Sequence, residues 1–132
     1  MKKLLYVADT AALARYLEDA LPQKADEIFQ RCETGKAHVI VPSIVIAELI
    51  YVSMKGRIKT QDPKATLLEL LGDMEVLSYL EQKDMNHYAW RIFLDLRVPE
   101  LHDRLICAVA LANNAEAIIT NDDEMAGLKT IW

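Results

Sequence analysis

The 132-residue chain has only two cysteines, Cys32 and Cys107. They lie far apart, with no Cys-x-x-Cys pair and no histidine at zinc-ligand spacing, so neither a disulfide framework nor a zinc site is indicated and a reducing cytoplasm is the default compartment. Four glycines and four prolines are too few and too scattered for a linker or a low-complexity segment. Long hydrophobic runs are also missing. The longest apolar stretch, Ile40 to Tyr51, is broken by Pro42, Ser43 and Glu48 and is far shorter than the ~20 residues that span a bilayer. The short run Leu4 to Ala8 behind Lys2 and Lys3 stops at Asp9 where a secretion signal would continue, and it reads as a strand. Basic residues are in deficit, 15 against 20 acidic, giving a net charge of −5. That balance is unfavourable for holding phosphates unless divalent cations or a basic partner protein offset it locally.

Hydrophobic residues make up 52% of the chain and charged ones 27%, the balance of an ordinary globular domain, and the length suits a single one covering residues 1–132. Leu4 to Ala8, His38 to Val41, Glu75 to Leu80, Ala117 to Thr120 and Lys129 to Trp132 read as strands. Between them lie helices carrying Leu13, Tyr16 and Leu17, then about Gln23 to Glu33, Pro42-Ser43 to about Lys55, a helix begun by Asp62-Pro63 and turned at Gly72-Asp73, Gln82 to Leu96, and Leu101 to Asn113. Strands alternating with helices imply right-handed crossovers and an α/β layered domain with a parallel sheet.

In such a sheet ligands collect beyond the carboxyl ends of the strands. Asp9 directly follows the first strand, Asp122 follows the strand ending at Thr120, Glu48 sits in the second turn of the third helix, and Asp103 in the first turn of the last. Three have ordinary explanations: Asp9 as a helix cap worth about 1 kcal/mol, Asp103 as a first-turn charge opposing the helix dipole, Asp122 with Asp123 and Glu124 as capping residues of a surface turn. Glu48 is different. Its helical neighbours Ile44, Val45, Tyr51 and Val52 are apolar or uncharged, so no Lys or Arg stands at pairing distance. An unpaired carboxylate there costs several kcal/mol unless a cation compensates, or unless it lies at the wet rim of a dimer interface. Four clustered carboxylates repel one another, and hard oxygen ligands select Mg²⁺, Mn²⁺ or Ca²⁺.

Four segments, Tyr6 to Leu13, Val41 to Leu49, His102 to Ala110 and Ile118 to Asp122, resemble in order and spacing the PIN-domain nucleases, and within them the small VapC-like toxins of toxin–antitoxin pairs. The resemblance implies a three-layer α/β/α sandwich with a mainly parallel sheet. It also implies metal-ligand or catalytic roles for Asp9, Glu48, Asp103 and Asp122, with Thr120 and Ser43 as polar supports and Asp123 exchangeable with Asp122. The implied activity is Mg²⁺- or Mn²⁺-dependent hydrolysis of RNA by an activated water. A small cognate antitoxin and a homodimer follow from the same resemblance. Lys55, Arg57, Lys59, Arg91, Arg97 and Arg104 are candidate backbone contacts, each taken singly better explained as a solvated surface charge. A stand-alone RNA-processing nuclease is the alternative. A receiver-like phosphoacceptor fits badly, since Asp9 stands alone and the middle strand does not end in Asp. A non-catalytic binding module is disfavoured because all four acids are present.

Overall fold

The computed structural model describes residues 3–123, 125 and 127–132. The chain runs β1 (Leu4–Ala8), α1 (Thr10–Leu17), α2 (Gln23–Glu33), β2 (Ala37–Pro42), α3 (Ser43–Met54), α4 (Pro63–Val76), β3 (Leu80–Lys83), α5 (His87–Asp95), α6 (Leu101–Ala112), β4 (Ala117–Ile119) and β5 (Thr130–Ile131). The five strands form one sheet in the order β3-β2-β1-β4-β5, every pairing parallel. Parallel neighbours need a crossover between them, and the six helices supply these and cover the sheet, giving the α/β/α sandwich. Val7, Val39, Ile40, Val41 and Ile118 are sealed from solvent, as strands apolar on both faces must be. From β1 the chain builds β2 and β3 outward on one side, then returns to place β4 and β5 on the other. The order therefore reverses between β1 and β4, and a crevice opens at their carboxyl ends.

Two expected elements differ. The chain does not turn at Gly72-Asp73; α4 continues to Val76, and the third strand is Leu80–Lys83 instead of Glu75 to Leu80. Asp62 caps α4 by accepting the Ala65 N–H, and Leu70 is buried with Leu67 and Met74 packed on the core. That apolar face outweighs the ~1 kcal/mol that a helical glycine costs relative to alanine. β3 is an edge strand with Leu80 buried and Glu81 and Gln82 exposed, so its polar sequence carries little strand signal. The fifth helix is correspondingly shorter, starting at His87 behind the Asn86 cap rather than at Gln82. Among the described residues no helix is long and apolar enough to cross a membrane.

Candidate active site

Asp9 is the first residue beyond β1 and Thr120 the first beyond β4, and these neighbouring strands bring them together at the reversal point. The Thr120 hydroxyl donates to Asp9 Oδ2, while Asp9 Oδ1 accepts the Ala12 N–H at 2.9 Å. Asp9 thus caps α1 with one oxygen and addresses the crevice with the other. Thr120 also accepts the Asp122 N–H at 3.1 Å, which ties the start of the following turn to the same hydroxyl. Both residues are nearly enclosed, Asp9 at 9% and Thr120 at 1% exposure.

Helices α3 and α6 bring the remaining acids. Glu48, its side chain 28% exposed, is held from two sides: Thr10 Oγ1 donates to Oε1 at 2.9 Å, and His102 Nδ1 lies 3.4 Å from Oε2. His102 also approaches Glu100 Oε1 at 3.1 Å. Glu100 caps α6, accepting the Asp103 N–H at 2.7 Å. That capping bond is the main reason its carboxyl lies below the ordinary range, with His102 nearby adding to it.

The electrostatics show which acids share a field. Burial is the main cause that raises the Asp9 pKa; the Thr120 and Ala12 hydrogen bonds pull it down, and the charges of Asp103 and Glu48 push it up again. Asp103 is raised by burial first, then by Glu100, Asp122 and Glu48, with His102 acting the other way. Of the four acids named from the sequence, Asp103 is therefore repelled by Asp9, Asp122 and Glu48, and Asp9 by Glu48. They are not gathered into a ligand cage: among the described residues no three His, Cys, Asp or Glu side chains stand as a metal-holding group. The donor set nevertheless suits a hard divalent cation. It consists of carboxylate oxygens, one of them buried, whose mutual repulsion such a cation would relieve.

Ser43 stands elsewhere. The Ser43 hydroxyl donates to Asp84 and accepts from Gln82 Nε2 at 2.9 Å, so it braces the end of β3 and not the acids. Asp123 is exposed and shares with Asp103 and Asp122 the wall of a cleft of about 620 Å³. Three further contributors were not among the candidate site residues. Thr10 was legible as the hydroxyl beside Asp9, and Glu100 as an acid three residues before the helical Asp103, but the contact of His102 with Glu48 has no local signature. Arg104, a candidate phosphate contact, is committed to structure: Nε donates to the Phe93 carbonyl at 2.8 Å and a terminal nitrogen to the Leu94 carbonyl at 3.2 Å, with the guanidinium over the Phe93 ring. It serves the unpaired carbonyls at the end of α5.

Comparison with known proteins agrees with this architecture. In solved structures, the chain is similar to VapBC2 from Rickettsia felis bound to a DNA fragment from their promoter, with TM-score 0.71, 20% identity, and coverage of 97% of this chain and 98% of that one. It is also similar to FitAcB from Neisseria gonorrhoeae, with TM-score 0.63, 15% identity and 96% of both chains covered. A third is VapC20 of Mycobacterium tuberculosis, a Sarcin-Ricin loop cleaving toxin, with TM-score 0.60, 16% identity, and 93% and 95% covered. At these identities the likeness is one of fold. No curated protein matches the sequence. The family model for the PIN domain matches residues 6–130, nearly the entire chain and all four acids, and the chain belongs to the PIN domain family.

Proposed function

We propose that the protein is a divalent-metal-dependent endoribonuclease, the toxin of a VapBC-type pair. The observation that carries the reading is the junction of Asp9 and Thr120 at the strand-order reversal, with Asp103 and Glu48 acting on Asp9 electrostatically. Asp9, Glu48, Asp103 and Asp122 would hold Mg²⁺ or Mn²⁺; Asp123 is the alternative to Asp122. When bound, such an ion would lower the pKa of a water so that it gives up a proton to become the nucleophile, and would neutralise charge on the phosphate oxygens.

The protein's own residues prepare this chemistry. The Ala12 N–H and the Thr120 hydroxyl occupy one oxygen each of Asp9 and fix the plane of its carboxylate. Thr10 holds one oxygen of Glu48 by a hydrogen bond and His102 lies 3.4 Å from the other, and in this reading Glu48 accepts a proton from the attacking water. The closed sheet edge beneath Asp9 keeps that carboxylate out of bulk solvent, which strengthens every charge interaction there.

RNA as substrate is supported by the family and by the named activity of VapC20, and a small antitoxin by the VapBC2 and FitAcB neighbours, which are toxin–antitoxin complexes. Exposed apolar side chains support a protein partner and a homodimer: Ile50, Tyr51 and Met54 on α3, Leu68 and Val76 on α4, Tyr88, Trp90 and Leu94 on α5. The reading is tested by incubating the purified protein with structured and unstructured RNA in Mg²⁺, Mn²⁺ or EDTA, beside Asp9→Asn and Asp103→Asn. Cleavage by the wild type alone, abolished by EDTA, is expected. Cleavage indifferent to EDTA and to both substitutions would overturn it. Light scattering of the protein alone and with its genomic neighbour's product tests the dimer and the antitoxin.

A further inference from the structure

The connection from α5 to α6 is the five-residue segment Leu96 to Glu100, and its residues Arg97, Val98, Pro99 and Glu100 form one wall of the cleft of about 620 Å³ that contains Asp103 and Asp122. The cleft has a polarised lining. Asp103, Asp122, Asp123 and Glu100 are its acids, and Arg97 is its only basic residue among the described ones. Its remaining walls are Val98, Pro99, Met125, Gly127 and Leu128, an apolar surface with Met125 buried and Leu128 packed against the core. The volume falls within the range of small-ligand sites.

Arg97 is exposed, yet no described carboxylate lies within ion-pairing distance of it, although four share its cleft. The other basic residues named from the sequence are engaged elsewhere or lie outside this cleft. Arg104 serves the end of α5, Lys55 lies over the Tyr51 ring, Arg57 and Lys59 are outside the lining of this cleft, and Arg91 is on the exposed surface of α5. A guanidinium with no described ion-pair partner, lining the same cleft as a row of acids and an apolar surface, suits a ligand with a phosphate at one end and a flat, weakly polar body beside it. A fork of N–H donors matches phosphate oxygens in two-point contact.

We propose that this cleft is a nucleotide subsite: Arg97 binds the backbone phosphate next to the one cleaved, and the surface formed by Val98, Pro99, Met125 and Leu128 receives the attached sugar and base. The proposal deepens the nuclease reading and rests on it for the scissile phosphate. The ligand class is single-stranded nucleic acid, because a duplex would not present a single nucleotide to a cleft of this size. Among the described residues the lining has no aromatic and no amide side chain, so the base is held by shape against the apolar surface and not by stacking.

The test measures binding separately from cleavage. A short fluorescein-labelled single-stranded RNA, and a DNA of the same sequence, are titrated by fluorescence anisotropy in Ca²⁺ and in EDTA over a range of salt. The proteins are wild type, Arg97→Gln, Arg97→Lys and, as a control outside the cleft, Arg91→Gln. In Ca²⁺, Arg97→Gln is expected to weaken binding about tenfold, the scale of one charge-assisted contact. It should also lower the slope of log affinity against log salt by about 0.7, one phosphate on a single strand. Arg97→Lys recovers the slope and only part of the affinity, and Arg91→Gln changes neither. Equal loss for RNA and DNA places the contact at the phosphate, while loss confined to RNA places it at the sugar hydroxyl and overturns the phosphate assignment.

Unchanged binding by Arg97→Gln, equal loss from Arg91→Gln, or no binding by the wild type would overturn the proposal. Thermal melting confirms that the variants are folded. In the cleavage assay Arg97→Gln should raise KM with kcat within about twofold, as for a group that binds substrate and transition state alike. Wild-type protein that binds through Arg97 but never cleaves would defeat the nuclease reading and leave the nucleotide site standing. Metal-dependent cleavage untouched by Arg97→Gln would do the reverse.

Discussion

Replacing Asp9 with asparagine should make the metal-free protein more stable, although the residue is nearly buried and caps a helix. Asparagine caps about as well as aspartate, so the 2.9 Å bond from the Ala12 N–H survives, and the amide nitrogen can donate to the Thr120 oxygen. What is lost is a negative charge that burial disfavours and that faces Asp103 and Glu48. Each like-charge contact between partly exposed groups is worth on the order of 0.5 kcal/mol, so removing two gains about 1 kcal/mol, or roughly 3–5 °C in Tm for a chain of this length. The direction with pH follows. A carboxyl whose folded pKa is raised binds its proton more tightly in the folded state; its stabilising effect is complete below the unfolded value near 3.8 and is lost as pH rises through the raised folded value. The advantage of Asp9→Asn should therefore be smallest below the unfolded value near 3.8 and grow as pH rises through the raised folded value, as followed by calorimetry in EDTA. Divalent metal should then reverse the ranking. At a hundred times its Kd a ligand adds about 2.7 kcal/mol to the protein that binds it, and the variant should gain much less. An Asp9→Asn protein that melts below the wild type in EDTA at every pH, and responds equally to Mg²⁺, would refute the reasoning and return Asp9 to a plain structural cap.

Thr10→Val removes the donor to Glu48 while keeping the shape; a group that orients a ligand in this way typically accounts for a 10–100-fold change in metal affinity or activity, whereas Thr10→Ser should retain most of both in a metal titration of cleavage rate. Arg104→Ala should cost about 1–2 kcal/mol in urea denaturation, because two carbonyls at the end of α5 lose their donor. Leu49→Ala, one position from Glu48 but fully enclosed, should cost about 2–5 kcal/mol while the metal response of the folded fraction is unchanged. Burial pushes the Cys32 and Cys107 thiols up to about 11, so both stay protonated and shielded near pH 8; a disulfide reagent should label neither in the folded protein and both in denaturant, and fast native labelling of either would contradict the packing.

The strands buried on both faces were legible in the sequence because apolar runs such as Leu4 to Ala8 and Ala117 to Ile119 have no other stable use, and their alternation with helices dictated a parallel sheet. The place of Asp9 followed directly, since it is covalently next to the end of β1, and Asp122 lies only three residues beyond the end of β4. β3 was misplaced because an edge strand needs only one buried residue, Leu80, and its polar remainder looks like any helix start or loop. Gly72 misled in the opposite direction: a turn signal was overridden by the apolar face that α4 packs on the core.

For the site, sequence alone named the acids and found Glu48 anomalous, because helical spacing supplies no cation near it. That inference was sound for the helix and incomplete for the molecule. The partners of Glu48 are Thr10 on α1 and His102 on α6, residues that no periodicity connects to it. Likewise, Arg97 and Arg104 are equivalent as letters, and only folding assigns one to the end of a helix and leaves the other facing the acidic cleft. Chain neighbours and burial patterns are local properties that the sequence carries by itself. Which side chain meets which across elements is decided by the sheet order and the helix packing, because that is what brings residues distant in the chain within hydrogen-bonding reach.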